Sequence, residues 1–318
     1  MKNIYLNIYK PNLVNLKKAK KNIENNNVIG IPTETVYGLA GNAYSNKSSK
    51  KIFKLKKRPA FNPLIIHFKN LNDLKKDVIL NSDFKKLYDA FCPGPITFIL
   101  KKKKNSKISK IAIAGKKTIA VRIPRHRVIR NLLYMLKFPL AAPSANISSK
   151  LSPTSARDVF EEFGKKIKFI LDGGRSKIGL ESTIVDLTNR PTVLRPGSIT
   201  VKKIQKILKR KVRINKSPKK IKSPGQLKLH YSPGIPVELN KNYAQKNQAF
   251  ISFGKKFKEK KNYFNLSKSG NLKEAANNLY KTMRKIKKKK FKSIAVAKIP
   301  NTEIGCAIND RLIKASNK

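Results

Sequence analysis

Apolar residues along the chain fall into short runs separated by polar and proline-rich breaks. Residues 28–32 (VIGIP), 64–68 (LIIHF), 96–100 (ITFIL) and 119–123 (IAVRI) are bounded by Pro, Gly or charge and read as strands. Residues 169–171, 183–187 and 192–195 continue that series. Helical spacing alternates with it. Residues 12–25 read as a helix before the first strand, 48–57 place Ile52 and Leu55 one turn apart, and 154–163 put Val159, Phe160 and Phe163 on one side behind a candidate cap. Residues 201–208 read as a closing helix. The alternation predicts an α/β domain built on a mixed sheet.

The texture changes after residue 211. Residues 212–236 are rich in Pro and Lys and have little periodicity, so they read as a linker. Beyond it, 249–253 (AFISF) and 294–297 (IAVA) read as strands, and 272–286 and 307–315 as helices. That order predicts a small Rossmann-like second domain. It has no GxGxxG fingerprint, so dinucleotide binding is not inferred. A chain of 318 residues is long for one domain. The expected division is 1–211, a linker at 212–236, and 237–318.

Composition adds less than its extremity suggests. The net charge is +56, which invites a nucleic-acid reading. The lysines are nevertheless spread along the whole chain, as an AT-rich coding bias produces, and no basic motif with interleaved aromatic platforms is evident. Cys92 and Cys306 form no metal-binding spacing. The N-terminus lacks the apolar run of a signal peptide, and no stretch approaches the roughly 20 apolar residues of a membrane span. A cytoplasmic protein without a membrane partner is expected.

Four segments concentrate polar side chains at strand ends. Residues 31–41 (IPTETVYGLAG) place Thr33, Glu34 and Thr35 directly after a buried strand, where α/β sites form; a capped turn into a helix is the plainer alternative. Residues 56–67 (KKRPAFNPLIIH) offer Lys56, Arg58, Asn62 and His67. Fixed positive charge suits a polyphosphate, although a solvated basic face and a core histidine would account for the same residues. In 118–124 (TIAVRIP), alternation puts Ala120 and Arg122 on one face and Val121 and Ile123 on the other. An arginine inside such a strand needs a partner, either a bound carboxylate or an internal Asp or Glu. Residues 141–152 (AAPSANISSKLS) combine small residues with a dense supply of hydroxyls and an amide, suited to phosphate or ribose or to an ordinary polar loop.

Taken in order, PTETVYGL, KxR with NPL, PGPITFIL, VRIP, PSAN, ESTIVDL and LRPG resemble the YrdC/TsaC-like domain. SPGQLKLHYSP and AINDRL resemble the C-terminal part of the long-form threonylcarbamoyl-AMP synthases. The resemblance runs from about residue 10 to the end. It implies a YrdC-like twisted mixed sheet with helices and a concave site, plus the small C-terminal α/β domain. The implied activity is a nucleotidyl transfer joining L-threonine, bicarbonate or CO2, and ATP into threonylcarbamoyl-AMP, with pyrophosphate released. A downstream transferase would pass the threonylcarbamoyl group to tRNA, which need not touch this chain. Mg2+ is expected with the ATP, and no metal-binding residues are expected from the protein.

By the same resemblance, Lys56, Arg58, Ser144 and Asn146 form the catalytic set. Asn62, Thr118, Ser152, Arg195 and Tyr231 join Arg58 and Ser144 around ATP, Tyr231 from a linker that acts as a lid. Thr35, His67, Arg122 and Ser182 take threonine, with the Arg122 fork holding its carboxylate. Two other readings exist. One is a double-stranded RNA or tRNA-binding module without catalysis, for which charge alone suffices. The other is the related domain of hydrogenase maturation, whose cysteine-rich zinc motifs are missing from a chain with two cysteines.

Overall fold

A computed structural model describes residues 6–215, 223–227 and 229–317. Residues 216–222 and 228 of the expected linker lie outside the described residues.

Among the described residues, eleven strands form one large sheet. Its order is Ile8–Tyr9, Ile170–Leu171, Ile29–Ile31, Gly38–Asn42, Leu140–Ala141, Ile65–His67, Thr118–Arg122, Ile96–Lys101, Thr183–Asp186, Thr192–Arg195 and Arg213–Ile214. Parallel and antiparallel neighbours mix, as expected. Side-chain alternation gives the sheet two faces. Ile66, Phe98, Val121 and Val185 point into the largest apolar cluster. Ile65, Ile99, Ala120, Ile184 and Leu194 form a small cluster on the opposite face, and that face floors the site.

Local chemistry sets the helix boundaries. Asn12, Ser45, Asn70, Asn81, Thr200 and Asn271 each accept a first-turn N–H, and Ser155 with Asp158 completes a capping box before Ala156–Phe163. The segment after Ile31 does not turn into a helix. It returns as strand Gly38–Asn42, antiparallel to Ile29–Ile31. The glycine-rich GLAGN run has low strand propensity, which hid it from pattern reading. Helices Leu71–Asp77, Ser82–Phe91 and Arg127–Met135 also exceed the sequence expectation.

Among the described residues, the C-terminal domain holds a four-stranded parallel sheet, ordered Val237–Glu238, Ser293–Val296, Gln248–Ser252 and Tyr263–Asn265. Helices Leu272–Lys288 and Gly305–Ser316 pack with it. The two domains share a core, since Val36, Leu151 and Leu180 cluster with Tyr231 and with Tyr280, Ile304 and Ile308. Gly179 (φ +78°) makes the close approach possible, because a Cβ there would lie 2.6 Å from the Asn277 Cα. No helix among the described residues is long and apolar enough to cross a membrane.

Candidate active site

The face carrying Ile65 and Ala120 ends in polar groups. Strands Ile65–His67 and Thr118–Arg122 run parallel with His67 beside Arg122, so both buried side chains leave the carboxyl ends of their strands together. The loop between Ile31 and Gly38 closes over them. Thr33 ties that loop down, its Oγ1 lying 2.8 Å from the Thr35 Oγ1 and donating to the Val36 carbonyl. Arg122 then donates from Nη2 to Glu34 Oε1 at 2.8 Å and from Nη1 to Thr35 Oγ1 at 2.9 Å. Its Nε is buried without a partner, as is the His67 Nδ1. Burial and the Arg122 charge push His67 down to about 3, so its imidazole is neutral. Burial raises the Glu34 carboxyl, but the Arg122 charge and hydrogen bond outweigh it and leave the group below its ordinary value.

A second wall is built from two more arginines. Arg58 donates from Nε to the Asn62 carbonyl (2.8 Å) and from Nη2 to Asn62 Oδ1 (2.6 Å) and the Pro63 carbonyl (2.8 Å). Arg195 donates to the Ser182 carbonyl (3.0 Å) and Ser182 Oγ (3.1 Å), and that hydroxyl lies 2.7 Å from Thr97 Oγ1. Among the described residues, no carboxylate is hydrogen-bonded to either guanidinium. Burial, and then the neighbouring Arg195 charge, bring Arg58 down to about 9. Two buried guanidiniums whose hydrogen bonds go to neutral oxygens make a ready receptor for an anion.

Lys56 works from behind this wall. Helix Asn46–Lys56 buries Ser48, Ile52 and Lys56 at four-residue spacing, which turns the lysine inward. Its ammonium donates to the Ser144 carbonyl at 2.6 Å and to the Asn146 carbonyl. Burial holds its pKa well below the usual lysine value. The Asn146 amide donates to the Ile147 and Lys150 carbonyls at 2.7 and 2.9 Å, leaving its Oδ1 unpartnered. The loop that offers Ser144 to the cavity is therefore pinned at both ends.

Residues 223–227 and 229–231 form the roof. Pro224, His230 and Tyr231 line the cavity together with Thr35, Arg58, His67, Arg122, Ser144, Glu181, Ser182 and Arg195. Tyr231 is fully buried, and its hydroxyl has no hydrogen-bond partner among the described residues. Beside it, the Glu181 carboxylate accepts from Ser152, from the Tyr280 hydroxyl at 3.1 Å and from Arg311 Nε at 2.9 Å.

A family model described as "Telomere recombination" matches residues 21–197, and one described as "Threonylcarbamoyl-AMP synthase, C-terminal domain" matches 199–317. The chain belongs to the threonylcarbamoyl-AMP synthase family. Among its relatives, the Pyrococcus abyssi threonylcarbamoyl-AMP synthase is 37% identical, with 92% of each chain covered. The Bacillus subtilis threonylcarbamoyl-AMP synthase is 33% identical over 95% of this chain and 92% of its own. The crystal structure of P. abyssi Sua5 complexed with L-threonine superposes with a TM-score of 0.89 at 33% identity, covering 97% of this chain and 96% of that one.

Within this family framework, the structure gathers Thr35, Arg58, His67, Ser144, Arg122, Ser182, Arg195 and Tyr231 around one cavity. Lys56, Asn62, Asn146 and Ser152 lie directly behind, each bonded to a neighbour of the site or of its loops. Thr118 shares the face of Arg122 but starts the strand that Arg122 ends, partly buried and outside the cavity. The sequence places Glu34 at a candidate site without giving it a role, and assigns none to Thr97, Glu181, His230, Tyr280 or Arg311. A signal existed for some of them. Glu181 precedes Ser182 in ESTIVDL, and Arg311 lies four residues after Ala307 on the apolar stripe of its helix.

Proposed function

We propose that this chain is an L-threonylcarbamoyladenylate synthase, a nucleotidyltransferase. L-Threonine and CO2 or bicarbonate form a carbamate. One carbamate oxygen attacks the α-phosphorus of ATP, the bond from that phosphorus to the bridging oxygen breaks, and pyrophosphate leaves. The step depends on positioning and charge stabilisation, with no covalent protein nucleophile. The observation that carries this reading is the buried Arg58–Arg195 pair without a hydrogen-bonded carboxylate, placed against the Arg122–His67 pocket in one cavity. An RNA-binding module needs surface charge and has no use for such a pair.

The roles follow from the partners. Arg58 and Arg195 receive the phosphates, and Ser144, presented by the Lys56-pinned loop, lines the nucleotide side. Asn62 orients Arg58, and Ser152, Asn146 and Thr118 support the same side from further out. Arg122, Thr35 and Ser182 receive threonine, whose carboxylate finds the unpartnered Arg122 Nε. Neutral His67 beside them can accept a hydrogen bond without adding charge. Tyr231 and His230 cover the cavity and keep water from the mixed anhydride.

Glu34 and Glu181 already serve arginines, and among the described residues there is no cluster of three His, Cys, Asp or Glu side chains. Mg2+ would arrive on the ATP phosphates and supply charge neutralisation there. The reading assigns 1–211 to the catalytic domain, 212–236 to the lid and 237–318 to the second domain, in a cytoplasmic enzyme. The product passes to a threonylcarbamoyl transferase and then to tRNA. The test is pyrophosphate release from ATP by the purified protein. Release should require both threonine and bicarbonate and fall in Arg58→Ala; release indifferent to threonine overturns the assignment.

A further inference from the structure

The last helix, Gly305–Ser316, turns three charged side chains inward. Asp310, Arg311 and Lys314 are buried on the same stripe as Ala307, Ile308, Leu312 and Ala315, where an amphipathic helix normally places apolar residues. Such charges are costly to bury, and an apolar packing face would join two domains equally well. Their contacts point elsewhere. Arg311 bonds Glu181 through Nε (2.9 Å) and Asp310 through Nη1 (2.7 Å), and lies 5.0 Å from the centre of the Tyr231 ring. Lys314 donates to the Gly225 carbonyl at 2.8 Å and to Asp310, while its own carbonyl receives the His230 N–H at 3.1 Å. Glu181 is followed by Ser182, whose hydroxyl receives Arg195. A shift at Arg311 would therefore reach both the roof and the phosphate wall.

We propose that Arg311 and Lys314 are positioning residues of the catalytic site: reaching across from the C-terminal domain, Arg311 holds Glu181 on the cavity wall and Tyr231 above it, and Lys314 tethers the roof at Gly225 and His230. The second domain thereby completes the site. This inference rests on the synthase reading for its kinetic arm only.

The experiment uses the full-length chain with Arg311→Met, Arg311→Lys and Lys314→Met, each checked for folding by thermal unfolding. At saturating threonine, Arg311→Met is expected to slow pyrophosphate release by about tenfold or more, with the threonine KM moving by less than about twofold. Arg311→Lys keeps the charge without the fork, and should recover only part of the rate. In a Tyr231→Ala background, Arg311→Met should add little, because both act on one element. Hydrogen exchange of residues 223–227 and 229–232, read without substrates, should quicken in Arg311→Met and Lys314→Met. Unchanged exchange overturns the proposal, whatever the activity. Effects of Arg311→Met and Tyr231→Ala that simply multiply also overturn it. If Arg311→Met does not fold, Lys314→Met decides through exchange at 223–227. A wild-type protein that releases no pyrophosphate defeats the synthase reading, and the exchange result still judges the positioning role.

Discussion

Arg122 faces Glu34 across the floor of the cavity, Nη2 lying 2.8 Å from Oε1 with both side chains buried. The internal carboxylate thus holds one arm of the guanidinium before any substrate arrives. The sequence left two candidates for the partner of Arg122, and the geometry admits both, because Nε stays unpartnered beside Glu34. Removing Arg122 alone strands the Glu34 charge. Arg122→Ala is expected to lose about 3 kcal/mol of stability and to raise the threonine requirement by about a hundredfold. Adding Glu34→Gln should restore much of the stability and none of the threonine response. Thermal unfolding and threonine titration of the two variants check both halves.

Lys56 gives a different kind of prediction, because its ammonium is spent on the Ser144 and Asn146 carbonyls. Lys56→Met would leave two buried acceptors unmet and release the loop that presents Ser144. The expected loss is about 2 kcal/mol or more, together with weaker ATP binding, while threonine binding changes little. Calorimetric titration with each substrate separates these effects. A threonine affinity that falls as far as the ATP affinity would contradict the scaffold role.

How far the sequence carried these two residues has a physical reason. Period-two alternation in TIAVRIP put Arg122 on the face of Ala120, which the register with Ile65 and His67 bears out. Alternation acts within one strand and can be read locally. Glu34 as its partner depends on a loop 88 residues away, which no local pattern encodes. Fixed charge suits Lys56 to a polyphosphate, and the spacing Ser48–Ile52–Lys56 marks the inner stripe of its helix. Six further lysines and arginines between residues 47 and 58 mask any such signal in a protein of charge +56; the stripe, not the residue type, is informative. The Glu181–Arg311 contact joins positions 130 residues apart and belongs wholly to tertiary packing.

Acid sensitivity follows from two buried groups with different windows. For Glu181, burial raises the carboxyl, but the charges of Arg311 and Arg195 bring it down to about 2 from an ordinary 4.5. A depressed carboxylate contributes stability that is complete above about pH 4.5 and lost as pH falls toward 2. The full contribution is about 3 kcal/mol. His67, lowered to about 3 from 6.5, is a base kept neutral by burial. Protonation there favours the unfolded chain, so its contribution is complete above about pH 6.5 and is lost from that point down toward 3. Glu181→Gln should flatten the urea midpoint against pH only below about 4.5, and His67→Gln should flatten it from about 6.5 downward. A His67 ring that titrates near 6.5 by NMR would remove its assignment as a neutral acceptor.

Gly225 tests the roof most sharply. It adopts φ +84°, and a Cβ there would lie 2.7 Å from the Tyr231 hydroxyl oxygen and 2.9 Å from the Arg195 Cδ. Both neighbours are buried, so neither can swing into solvent to make room. Gly225→Ala therefore adds backbone strain to a collision with the roof and with the phosphate wall. The roof segment is expected to lift, which admits water to the mixed anhydride while leaving Arg122 and His67 in place. Threonine binding should stay within about threefold of the parent, and the adenylate recovered per pyrophosphate released should drop by about tenfold. Chromatographic quantification of threonylcarbamoyl-adenylate against pyrophosphate gives that ratio directly. A ratio that matches the parent, at any overall rate, would mean that the roof does not exclude water from the product.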